Sequence, residues 1–155
     1  MRKAEALLAE YAADHQHPFN RLMHRICVPV IVVSLLGLLA SVPVPEALGA
    51  SATAVNWATV IVFAALAWYL WLSPRLAAGM AIAAGLALAL VAALSWLPAP
   101  LWITSGVLFV LAWAGQFIGH AAEGRRPSFL RDLRFLLIGP LWLLAGLYWR
   151  FGLRV

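Results

Sequence analysis

The sequence predicts an all-α, polytopic membrane helix bundle, and three observations predict it. Hydrophobic residues make up 65% of the 155-residue chain and charged residues only 11%, where a soluble domain carries about a quarter charged. Apolar runs long enough to cross a bilayer recur between short turns. The charges sit beside those runs rather than inside them. With a mean hydropathy of +0.92, residues 1–155 read as a single integral membrane domain whose helices pack on one another in lipid.

Taken in order, residues 3–13 combine Ala, Leu and Glu, with Leu7, Leu8 and Tyr11 on one helical face. They predict a short amphipathic helix at the membrane surface. The start is basic, but Glu5, Glu10 and the short apolar run exclude a signal peptide, so it reads as mature sequence. Pro18 suits a first helical position, and from that helix Asn20 and His24, at i and i+4, project from one side.

About four spans follow. The first covers residues 26–42 and borrows Leu22 and Met23 for length, with Pro29 predicting a kink or a broken first turn. The second, residues 52–72, ends in Trp68, Tyr69 and Trp71, an aromatic cluster suited to the lipid-water boundary. The third, residues 76–97, carries Gly79, Ala83 and Ala87 at four-residue spacing, which predicts close packing and a central position. The fourth covers residues 101–121. After a charged loop, residues 135–151 are interrupted by Gly139-Pro140, predicting a further span or a broken or re-entrant C-terminal helix.

Arg2, Lys3, Arg21, Arg25, Arg75 and the Arg125-to-Arg134 loop place the N-terminus and alternate turns in the cytoplasm. Arg150 and Arg154 agree if the last segment is re-entrant. Four spans then return all four histidines to one side. The net charge of +5 therefore reads as a topology signal, with no nucleic-acid partner. Cys27 is the single cysteine, which excludes both an internal disulfide and a multi-thiolate metal site.

Three histidines, His15, His17 and His24, precede the first apolar run, and His120 closes the fourth. Trp113, Gln116, His120 and Glu123 fall at i, i+3, i+7 and i+10, one polar stripe on an apolar helix. Such groups are costly at membrane depth and face the bundle interior. His15, His24 and His120 are the candidate metal ligands and catalytic centre. Imidazole suits zinc, copper, iron and nickel, while imidazole with carboxylate and open positions favours non-haem Fe(II) and oxygen chemistry. The alternative is that these histidines are solvated or structural, the reading favoured for His17. Asn20 orients a ligand or caps a helix, and Gln116, on the same stripe, is with Asn20 and Glu123 a support behind the ligands or a further ligand. Arg125 and Arg126 are topology signals or, alternatively, grip an acidic lipid head bidentately.

Tyr11, His15, Pro18, Asn20, His24 and Pro29, followed by Trp113, Gln116 to His120, Glu123, Pro127 and Gly139-Pro140, resemble the family named for metabolism of phytosphingosine to odd-numbered fatty acids. The resemblance covers nearly the whole chain. The fungal member of that family is a membrane-bound, Fe(II)-dependent dioxygenase that shortens 2-hydroxy fatty acids by one carbon. The resemblance therefore implies that His15, His24 and His120 serve an Fe(II) cofactor, with a 2-hydroxy fatty acid and O2 as partners. His17 stands where the family commonly has Asn. Glu123 lies three residues after His120, one fewer than in the fungal form, which favours support of a histidine and leaves direct ligation as the alternative.

The reading is thus an Fe(II)-dependent dioxygenase performing α-oxidation of 2-hydroxy fatty acids among membrane lipids. The rivals are a non-catalytic lipid-binding or assembly factor with structural histidines, and a metal transporter, which would carry ionisable residues mid-span. No Gly-rich nucleotide fingerprint points to an organic cofactor. The abundance of Ala, Arg and Trp fits a bacterial inner membrane, with the histidine site on the cytoplasmic side.

Overall fold

The structure is a computed structural model describing residues 2–45, 55–124 and 134–153. It is all-helical among the described residues: α1 Arg2–Ala13, α2 Pro18–Ala40, α3 Trp57–Leu72, α4 Pro74–Leu94, α5 Leu101–Glu123 and α6 Phe135–Arg150. Three of these, α2, α4 and α5, are long and apolar enough to cross a membrane. At 1.5 Å per residue the 23 residues of α2 or α5 reach about 35 Å, more than the roughly 30 Å of hydrocarbon. Helices α3 and α6 are apolar but have 16 residues each, about 24 Å. The expected second span therefore starts later in the described chain, at Trp57. A capping box sets that start: Asn56 Oδ1 accepts from Thr59 N at 3.1 Å and Asn56 N donates to Thr59 Oγ1 at 3.0 Å.

Helix α2 begins at Pro18 and continues through Pro29, so the helix predicted from Pro18 and the first span are one element. Pro140 likewise lies inside a continuous α6, and the break expected at Gly139-Pro140 does not occur. Pro140 has no amide hydrogen for the turn before it. Next to the carbonyl so left, Tyr69 Oη of α3 donates to the Leu137 carbonyl at 2.8 Å, tying α3 to α6. Tyr69 is thus a buried support for α6, whereas its neighbour Trp71 is exposed beneath the Lys3 ammonium.

The most extensive pairing joins α2 and α5, and α2 also packs on α3, α4 and α6. Helix α2, rather than the Ala-rich α4, is the axis of the bundle, and Ala83 is exposed. The reason is where small residues face one another. A methyl added at Gly37 would strike Ser105, one at Gly115 would strike Cys27 Sγ, and one at Gly119 would strike Asn20 Oδ1 and Met23. These contacts run in opposite sequence directions along the two helices, so α2 and α5 are antiparallel neighbours at close approach. Gly79 of α4 instead admits Tyr148 of α6.

Helix α1 buries Ala4, Leu8 and Tyr11, one stripe at helical spacing, in a cluster with Leu72, Leu76, Phe135, Ile138, Leu141 and Ala145. This confirms the amphipathic reading and shows what covers the apolar face, namely α6 and the α3–α4 turn. Helix α6 meets Tyr11 through Phe135 near its start, and near its end Tyr148 Oη donates to the Arg75 carbonyl at 3.1 Å.

Candidate metal centre

Three elements each deliver one imidazole. His15 follows α1, whose last turn supplies the Tyr11 carbonyl as acceptor for His15 Nδ1 at 2.6 Å. His24 lies nearly two turns into α2, and its Nδ1 donates to the Asn20 carbonyl four residues back at 3.0 Å. His120 lies near the end of α5, brought alongside by the antiparallel packing at Gly119. The ring centroids are 4.3 Å apart for His15 and His24, 5.0 Å for His24 and His120, and 5.2 Å for His15 and His120. One possible ligand atom from each lies within 4.8 Å of the others.

The cluster is buried and incompletely bonded. All three histidines are at most 4% exposed. A neutral imidazole whose Nδ1–H donates keeps its lone pair on Nε2, which applies to His15 and His24. His15 Nε2 and His120 Nδ1 are buried with no hydrogen-bond partner among the described residues. Burial pushes the His15 pKa below the ordinary imidazole value, and the Tyr11 carbonyl and the Glu123 charge oppose that only in part. His15 is therefore neutral near pH 7, as a metal ligand must be. Tyr11 stacks on His15 with centroids 4.1 Å apart, and burial pushes its phenol up, so it stays protonated. Trp142 packs against both rings, 5.8 Å from His15 and 5.6 Å from Tyr11.

Glu123 ties the three elements together. Its Oε1 accepts from Gln16 N at 2.5 Å and His17 N at 3.1 Å, and its Oε2 accepts from Asn20 Nδ2 at 2.5 Å. One carboxylate at the end of α5 thus clamps the loop bearing His15 and the first turn of α2 below His24. Asn20, fully buried, passes this restraint on: its side chain holds Glu123 while its carbonyl orients His24. His17 is exposed and caps α2, its Nδ1 accepting from Phe19 N at 3.3 Å. It stands outside the cluster. Arg125, Arg126 and Pro127 lie outside the described residues.

A partly open cleft leads from the histidines. Its walls carry Val28, Ile31 and Val32 of α2, Trp113 and Gln116 of α5, and Phe135, Leu136, Gly139 and Pro140 of α6. The polar stripe predicted on α5 faces inward at Gln116 and His120, both buried. The apolar α2 wall was not singled out from the sequence. Its signal was available: residues 24, 28, 31 and 32 follow helical spacing, so they share His24's face.

Fold and site together define the class: a bundle of membrane-spanning composition with a buried, unsaturated three-imidazole cluster at one end of its central helix pair. Compared with known families, residues 1–151 match the Mpo1-like family, described as 2-hydroxy-palmitic acid dioxygenase Mpo1-like, and the chain belongs to that family. No curated protein and no solved structure matches the chain.

Proposed function

We propose that this chain is an Fe(II)-dependent dioxygenase that converts 2-hydroxy fatty acids to acids one carbon shorter. The observation that carries the proposal is the convergence of three buried imidazoles, with His15 Nε2 and His120 Nδ1 left without partners among the described residues. Leaving several polar atoms unpaired in one small volume is costly, and a cation accepting their lone pairs removes that cost. His15, His24 and His120 would hold the iron, which supplies oxygen-activating redox chemistry when bound.

The chain's own groups do the rest. Glu123 and Asn20 fix two of the three ligand-bearing segments, so ligand geometry is set before metal arrives. Tyr11 and Trp142 pack against His15 and exclude water from it. Val28, Ile31, Val32 and Leu136 offer an acyl chain an apolar path from the histidines. The overall change balances with one O2. The C1–C2 bond breaks, C1 leaves as CO2, C2 is oxidised to the new carboxyl group, and the remaining oxygen and hydrogens form water. No second reductant is needed.

The same reading places the site at the cytoplasmic face of the membrane. Arg21, Arg25 and Arg75 are exposed, and the contact of Lys3 with Trp71 sets α1 beside the α3–α4 turn that bears Arg75. Helix α6, touching Tyr11 near one end and Arg75 near the other, lies along that face rather than crossing it, which keeps Arg150 inside with the other cations.

The test is mass spectrometry of the products formed when detergent-purified, Fe(II)-loaded protein is given 2-hydroxypalmitic acid in air, beside a metal-free control. Iron-dependent pentadecanoic acid is the expected product. Protein that binds no iron would return the histidines to a structural role.

A further inference from the structure

Once His15, His24 and His120 are assigned to a metal, few polar groups remain on the cleft wall. They are Tyr11, Trp113 and Gln116, and no Lys, Arg, Asp or Glu lines the cleft among the described residues. Gln116 differs from the other two. It is 4% exposed, and its Nε2 is buried with no hydrogen-bond partner among the described residues. Trp113, by contrast, has a further contact of its own. A primary amide held in an apolar bundle with its donor unmet is unfavourable. It lies four residues before His120 on α5, hence on the same face and about one turn away.

Opposite this amide the α2 wall runs from His24 through Val28 and Ile31 to Val32. Eight residues of helix extend about 12 Å. A polar donor beside the histidines, followed by an apolar strip, matches an amphiphile with one acidic head and a long saturated tail. A tail longer than the strip leaves it and continues among the lipid chains, so the cleft selects the head group more sharply than the chain length.

We infer that Gln116 Nε2 donates a hydrogen bond to the carboxylate of the bound long-chain 2-hydroxy acid and so orients its head at the histidine cluster. This rests on the functional reading above. A neutral amide suits the task because it grips the carboxylate without a second fixed cation in the bundle, the head's charge being balanced by the metal that the three imidazoles would hold.

The test is a binding measurement, separate from turnover. Iron-loaded full-length protein in detergent, without O2, is titrated with 2-hydroxypalmitic acid and with 1,2-hexadecanediol, which keeps the 2-hydroxyl and tail but lacks the carboxylate. Tryptophan fluorescence reports occupancy, since Trp113 lines the cleft. Wild-type protein is expected to prefer the acid. Gln116→Leu should weaken the acid by about ten- to a hundred-fold, the range for a hydrogen bond to a charged group, and leave the diol and the iron content unchanged. Gln116→Glu, of the same size, should weaken the acid at least as much through like charge, and it carries the test if the Leu variant does not fold. Equal weakening of acid and diol, or loss of iron in either folded variant, would overturn the assignment. Wild-type protein that holds iron but binds neither probe would instead overturn the substrate reading beneath it.

Discussion

The two ends of the α2–α5 pair both bury polar side chains, and they use them differently. At the far end Ser34 and Ser105 are fully buried beside Gly37. Ser34 Oγ donates to its own helix, to Val30 O at 2.7 Å and Ile31 O at 3.1 Å. Ser105 Oγ is a hydroxyl without a hydrogen-bond partner among the described residues, facing a glycine. Small size is the useful property there, because it lets the backbones approach. At the near end Asn20, His24, Gln116 and His120 are bulky, and unpaired atoms on Gln116 and His120 lie within one cleft with His15 Nε2. One isolated orphan is a packing cost, whereas several converging orphans mark a place for a ligand.

The sharpest way to break this contrast is to remove a ring. His24→Ala and His120→Ala should each lower the iron content of the purified, folded protein by more than about ten-fold, as read by elemental analysis, while Ser34→Ala and Ser105→Ala leave it unchanged. Iron retained in both histidine variants would erase the distinction between the two ends.

A smaller effect is expected from overfilling either end. Gly37→Ala and Gly119→Ala each drive a methyl into packed atoms, and each should cost about 1–3 kcal/mol of stability in unfolding measured in detergent. The two should differ in metal affinity. Gly119→Ala displaces Asn20 and weakens iron binding, and Gly37→Ala does not. Equal loss of affinity in both would show that the metal centre senses the whole seam rather than its own end.

The finest test concerns Glu123. Because its oxygens accept from Gln16 N, His17 N and Asn20 Nδ2, Glu123→Gln should place a donor against donors, loosening the clamp. Iron affinity should fall about ten-fold with the bound stoichiometry retained. Stoichiometric loss of iron would make Glu123 a ligand.

Much of the site was legible because its residues announce themselves locally. The Trp113-Gln116-His120-Glu123 stripe is a helical period on an apolar background, and the structure turns Gln116 and His120 into the bundle as that period requires. His17 could be set aside as a surface residue at a helix start, and it is the N-cap of α2. Other features were misread for a common reason. The small residues of α4 suggested a central helix, but those of α2 and α5 face each other, and facing is a property of a pair. Tyr69 looked like an interfacial aromatic until α6 proved to present a carbonyl to it.

The sequence by itself determined the class of structure, the placement of most helices, the amphipathic face of α1 and the residues able to hold a metal. Each follows from composition or from a period within one segment, where neighbours along the chain are neighbours in space. Only the tertiary structure decided that α2 is the axis, that α6 continues through Pro140, that Glu123 clamps the His15 loop, and that three imidazoles from distant segments converge in one cleft beside an unpaired Gln116. Those outcomes depend on how closely helix backbones approach, which the contacts at Gly37, Gly115 and Gly119 set between segments far apart in sequence.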